Sequence, residues 1–189
     1  YEVPDEVERL ADGAVEGLRE RGSPAHDGMA TRLCGWSDAG GRLRLELQPV
    51  RWALRLLDDA SDSLTALCVV RSRDGRWLAG RRAGWVSTWA NRWALGAGGA
   101  VDLGESPADT LARELREEWA LEPEALSVEA LVALPGSMNM LVGVATVPDG
   151  CRPVPDAEHD DWAWWPAEVS RWPAEADDRL RLMAALLDS

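Results

Sequence analysis

The stretch Arg113–Leu121, RELREEWAL, places Glu114, Glu117 and Glu118 within five residues. Like charges three and four positions apart repel on a helix surface, so this grouping asks for a compensating gain. The spacing predicts a helix over 107–119. Ser106 is a good N-cap, Pro107 suits the first helical position, and Asp109 stands where a capping-box acid belongs. At about 100° per residue, Leu111, Ala112, Leu115 and Trp119 share one side with Ala108, and the three glutamates fill a stripe roughly 100° wide beside it. Carboxylates anchored by a buried face suit a hard cation, because Mg²⁺ binds through a few oxygens and keeps water and substrate phosphates in its remaining positions. A solvated acidic helix face is the alternative that these residues alone leave open.

Gly99 and Glu105 extend the pattern upstream, in GAVDLGESPADTLARELREEWAL. The run resembles the Nudix box: Gly, five residues, Glu, seven residues, then Arg-Glu-aliphatic-x-Glu-Glu-x-Gly-aliphatic. Gly99, Glu105, Arg113, Glu114, Leu115, Glu117, Glu118 and Leu121 match it, and Ala120 replaces its last glycine. Glycine there favours a left-handed turn that alanine tolerates poorly, so a differently shaped helix exit is expected, pinned by Trp119.

The resemblance spans about residues 60–170. It implies an α+β fold, the Nudix arrangement of a mixed β-sheet sandwiched between helices. It also implies metal-dependent hydrolysis, with Mg²⁺ or Mn²⁺, of a nucleoside diphosphate linked to another group. Carried over position by position, it makes Glu114, Glu117 and Glu118 the metal ligands, with the Gly99 carbonyl as a further one. Arg113 and Glu105 then orient those carboxylates. The base is Glu117, or else Glu158 or Asp160 in the loop PDAEHDDWAW, which is equally readable as a solvated acidic turn. The implied partner is a small nucleoside diphosphate derivative, a sugar conjugate being favoured. Pro135 stands near a proline shared by ADP-ribose enzymes, but in LPGS it is equally a plain turn residue. Two rival classes share the fold: a regulatory module that binds a nucleotide without cleaving it, and an isopentenyl-diphosphate-isomerase-like enzyme. The first usually loses box carboxylates that this chain keeps, and the second needs a cysteine in a setting not found here.

Phosphate charge needs a counterpart. Arg81 and Arg82 end a strand before the glycine-rich segment, and Arg92 follows; the planar fork of arginine fits phosphate oxygens. Exposed strand-edge arginines are the plain alternative. Trp85, Trp89 and Trp93 lie nearby, where packing is favoured over covering a nucleobase. His26 and His159 lack zinc-ligand companions and read as solvent-exposed. Cys68 alternates with apolar residues in a strand and reads as core.

These side chains need elements to carry them. An amphipathic helix is expected over 4–21 from Val7, Leu10, Ala14 and Leu18, and a hairpin over 31–50 with SDAGG as its turn. Residues 51–58 are ambiguous between helix and strand. A second hairpin follows over 64–83 on Asp74-Gly75, then strands near 126–134 and 139–147 around Pro135-Gly136, a last strand in DWAWW, and a closing helix in DDRLRLMAALL. The expected domains are an N-terminal extension over 1–58 and a catalytic domain over 59–189. A dimer surface, a lid or a cover for the sheet edge are the roles open to the extension, a structural cover being favoured.

The chain has 189 residues and a net charge of −13, eleven Trp, one Tyr and no Phe, and all its Lys+Arg cations are Arg. Such acidity argues against general affinity for nucleic acid or anionic membranes. Cys34, Cys68 and Cys151 share no CxxC spacing and cannot all pair, which suits a reduced, cytoplasmic protein. The acidic start is no signal peptide, and no apolar run approaches membrane-spanning length.

Overall fold

A computed structural model describes residues 1–23, 27–86 and 88–188; His26 lies outside them. The chain forms, in order, α1 (Asp5–Glu20), β1 (Met29–Asp38), β2 (Leu43–Arg51), a 3₁₀ turn (Trp52–Leu56), β3 (Ser63–Ser72), β4 (Trp77–Arg82), β5 (Trp93–Leu95) and β6 (Ala97–Ala100). After these come α2 (Pro107–Trp119), β7 (Ala125–Leu134), β8 (Met138–Val147), β9 (His159–Trp165), a 3₁₀ turn (Val169–Arg171) and α3 (Asp178–Leu187). The class is α+β, with a mixed sheet and, among the described residues, three α-helices. No helix among the described residues is long and apolar enough to cross a membrane.

The chain divides into two compact units, the first comprising 1–66, 99–110 and 131–141. In this unit β1 and β2 pair antiparallel, with a bulge between Leu33 and Gly35. β1 also meets the start of β3 at Arg32↔Ser63. Thr31 donates both its amide and its hydroxyl to the Val101 carbonyl, each at 3.0 Å. The buried stripe of α1 is Ala11, Val15 and Leu18, packed with Ala30, Val50, Ala53 and Leu54. Leu10, expected on that stripe, is 58% exposed. The small Ala11 takes its place, one position round the helix. The ambiguous 51–58 segment resolves as the first 3₁₀ turn. Before it, Arg51 ties β2 to α1 through Glu8 at 2.6 Å and Asp12 at 2.7 Å. The first turn of α2 carries the expected capping box: Asp109 N–H donates to Ser106 Oγ, and Ser106 N–H to Asp109 Oδ2, both at 3.2 Å.

The second unit comprises 67–98, 111–130 and 142–189. Here β4 pairs antiparallel with β3, β5 and β9. One side chain cluster joins Trp77, Trp165 and Trp172, with ring centroids 5.6 Å apart for Trp77–Trp172 and 5.1 Å for Trp165–Trp172. Of the three tryptophans expected as packing, Trp93 packs on Trp165 with centroids 5.5 Å apart, whereas Trp85 and Trp89 are exposed. Leu111, Leu115 and Trp119 of α2 are all fully buried, and their burial stabilises by roughly 5–8 kcal/mol before ordering costs are subtracted. Trp119 Nε1 donates to the Gly96 carbonyl at 3.0 Å. Gly96 has φ +66°, and a Cβ there would sit 1.8 Å from the Cys68 carbonyl oxygen, so no other residue fits.

The exit of α2 corrects an expectation. Ala120 takes φ +52°, the left-handed conformation that a box glycine would supply. Its N–H donates to the Arg116 carbonyl at 2.9 Å and the Leu121 N–H to the Leu115 carbonyl at 3.4 Å, closing a left-handed cap. Anchoring by Trp119 on one side and the buried Leu121 on the other forces the conformation despite the Cβ. Ala120→Gly should therefore raise stability by about 1 kcal/mol, measured by denaturant unfolding. An unchanged or lower midpoint would mean that Ala120 is not strained.

Candidate active site

The apolar face of α2 fixes which way its carboxylates point. Glu114 and Glu118 are buried, at 7% and 5% exposure, whereas the Glu117 side chain is 58% exposed. Arg113 joins two of them: its Nη1 donates to Glu114 Oε1 at 2.7 Å and to Glu117 Oε2 at 3.0 Å. Glu118 faces inward, accepting the Gly98 N–H on Oε1 at 3.0 Å. Burial raises its pKa well above the ordinary 4.5; the neighbouring Glu114 and Glu158 charges add to that, and Gly98 and Arg82 oppose it. Burial, reinforced by the Glu118 and Glu114 charges, likewise pushes the Cys68 thiol up to about 12. That thiol is inert as a nucleophile.

A loop brings the second set of groups. The last carbonyls of a helix lack intrahelical partners, and here the residues before β9 supply them: Val154 N–H bonds to Trp119 O and Asp156 N–H to Glu118 O, both at 2.9 Å. The strand that follows carries a bulge. Arg81 pairs with Asp161 but Arg82 with His159, so Asp160 is the extra residue. Alternation alone would set Asp160 on the face of Gly80 and Arg82; the bulge sets His159 there instead.

His159, expected to be solvent-exposed, is buried at 6%. Its ring stacks on Trp119 with centroids 4.4 Å apart, Nδ1 lies 3.1 Å from Asp156 Oδ1, and Nε2 lies 3.7 Å from Glu118 Oε2. Gly80 makes the room, since a Cβ there would lie 2.6 Å from both rings. Sequence reasoning missed this residue, and the one available signal was a glycine inside an otherwise apolar strand.

The expected arginines separate. Arg82 turns Nη2 to Glu158 Oε2 at 2.8 Å and Nη1 to Glu118 Oε2 at 4.0 Å. Arg81, on the opposite face of β4, pairs with Asp160 at 3.1 Å. Arg92 lies over the exposed Trp89, 5.9 Å from its ring centroid. Gly99 and Glu105 belong to the first unit. The Gly99 carbonyl accepts from Thr65 Oγ1 at 2.5 Å, and Glu105 Oε2 accepts from Thr110 Oγ1 at 2.9 Å and from the Asp102 N–H at 3.4 Å. Pro135 is exposed in the β7–β8 turn.

Among the described residues no three His, Cys, Asp or Glu side chains converge as a metal site, and Glu114 and Glu117 are turned onto Arg113. The donor set nevertheless fits a hard divalent cation. It consists of carboxylate oxygens on one helix edge, two of them buried, with the Glu118 charge one that its surroundings oppose and a cation would favour.

The raised Glu118 pKa means that the folded state keeps a proton the unfolded chain releases. With chelator present, stability should therefore fall as pH rises from about 4.5 through the raised value. Glu118→Gln should remove this part of the slope, measured by urea unfolding across pH. Equal slopes in the two proteins would mean that Glu118 titrates as an ordinary carboxylate.

The NUDIX domain family model matches residues 62–186. Similar solved structures include a MutT Nudix hydrolase from Burkholderia pseudomallei, 20% identical over 66% of this chain and 97% of that one, with TM-score 0.53. The Nudix domain of Shewanella oneidensis NrtR, solved with ADP ribose, is 22% identical over 67% and 87%, with TM-score 0.52. An Ap4A hydrolase from C. elegans is 18% identical over 67% and 95%, with TM-score 0.51. At such identities these structures support the fold alone. No curated protein matches. The family match extends over well more than half of the sequence and includes every carboxylate of α2, and the chain belongs to the Nudix hydrolase family.

Proposed function

We propose that the protein is a divalent-metal-dependent pyrophosphohydrolase acting on a nucleoside diphosphate linked to another group, with nucleotide sugars favoured. One observation carries this reading: Glu114, Glu117 and Glu118 are all retained on a single helix edge, with Glu118 held below the surface. A silent binding module has no need of that costly arrangement. An isomerase using a reactive cysteine is disfavoured by the burial of Cys68, whose thiol feels the Glu118 and Glu114 charges.

Glu114, Glu117 and Glu118 would hold the ion. When bound, Mg²⁺ or Mn²⁺ supplies charge against the phosphate oxygens and acidifies the attacking water. Arg113 keeps Glu114 and Glu117 oriented from the wet side, and Glu105 braces the turn entering the helix. Either Glu117 or Glu158 takes the proton from the water. The water oxygen bonds to one phosphorus, the bond from that phosphorus to the bridging oxygen breaks, and the bridging oxygen leaves with the electron pair. Arg92, with the Trp89 ring beside it, would meet the remaining phosphate charge, while Arg81 is turned to the opposite face of β4.

A panel of nucleoside diphosphate conjugates including ADP-ribose, assayed with Mg²⁺ for phosphate ester release, tests the reading. Glu117→Gln should lose on the order of 10²–10⁴ in turnover while its unfolding midpoint stays near that of the wild type. Equal activity in the two proteins would remove Glu117 from the mechanism, and a wild type inert toward the whole panel would remove the hydrolase.

A further inference from the structure

Arg82 was expected against substrate phosphate, yet its surroundings point elsewhere. Its side chain is only 15% exposed. Both terminal nitrogens face carboxylates, Glu158 at 2.8 Å and Glu118 at 4.0 Å. Its main chain is held too: the Arg82 N–H donates to Arg92 O at 2.8 Å, and the Asn91 N–H donates to Arg82 O at 3.0 Å. The partner acid is equally fixed, since the Glu158 carbonyl accepts the Ala83 N–H at 2.7 Å. The bulge at Asp160 is what lets the segment 158–159 meet Arg82 in this register.

We propose that Arg82 is a positioning residue that holds the Glu158 carboxylate beside Glu118, where Glu158 serves as the base for the attacking water. This rests on the pyrophosphohydrolase reading. Two carboxylates facing one another repel, and a planar fork that turns one nitrogen to each is the arrangement that holds both in place. A lysine carries the same charge at a single point and holds one acid but not the pair.

The two roles for Arg82 differ in what they do to kinetics. A phosphate contact binds the ground state as well as the transition state, so its loss raises KM. A residue that acts through Glu158 lowers kcat and leaves KM near its starting value. The effects of removing Arg82 and Glu158 then fail to multiply, because each removes the same function.

The experiment is a double-mutant cycle of Arg82→Ala and Glu158→Gln, with Arg82→Lys alongside. kcat and KM are measured with ADP-ribose, or with whichever panel member the wild type cleaves, and each variant is checked by denaturant unfolding. Glu158→Gln should lose on the order of 10²-fold or more in kcat. The double variant should be no worse than about threefold below it, with KM within roughly twofold throughout. Arg82→Lys should recover part of the loss seen in Arg82→Ala. Multiplying losses, or a KM rise confined to the Arg82 variants, would overturn the inference and leave the hydrolase standing. An inert wild type would overturn the hydrolase and this inference with it.

Discussion

A carboxylate taken out of water needs something in return, and the burial of Glu118 under α2 organises much of the second unit. The amide of Gly98 bonds to it, Arg82 approaches from β4, and the Nε2 edge of His159 faces it from β9. None of these fully neutralises the charge, so the acid remains one that prefers a proton or a cation. A well-packed protein ordinarily avoids that condition. It is tolerable here because Leu111, Leu115 and Trp119 bury enough surface on the same helix to hold the acid where it lies.

A chain with no lysine meets its excess of acid through arginine forks. Arg113 spans Glu114 and Glu117, Arg82 spans Glu118 and Glu158, and Arg51 gathers Glu8, Asp12 and Asp27. The third group belongs to the first unit and fastens a helix to a strand. The first two belong to the site and set the spacing of acids that would otherwise push apart. The same geometric property of guanidinium serves architecture in one place and, on the proposed function, chemistry in the other.

Much of this was legible beforehand. The helix 107–119 and its capping box follow from Ser106, Pro107 and Asp109, because capping depends on residues a few positions apart. The hairpins follow from SDAGG, Asp74-Gly75 and Pro135-Gly136 for the same reason. The N-terminal helix was expected as well, but with Leu10 on its buried stripe. Only contact with Ala30 and Val50 selects Ala11 instead, since neighbouring stripes on a helix differ by a single residue step.

Local periodicity and spacing thus determined the row of acids on α2 and the elements apart from β5, β6 and the 3₁₀ turns, and the resemblance of that row to the Nudix box gave the family. Three matters were decided only by the fold. Ala120 accepts a left-handed conformation because its neighbours are anchored. Arg82 meets Glu158 because the segment before β9 brings that acid to its face of β4. His159 goes inside because a bulge at Asp160 shifts β9 by one residue and Gly80 leaves a space under Trp119. Each depends on a partner distant in sequence, and no window of neighbouring residues contains that partner.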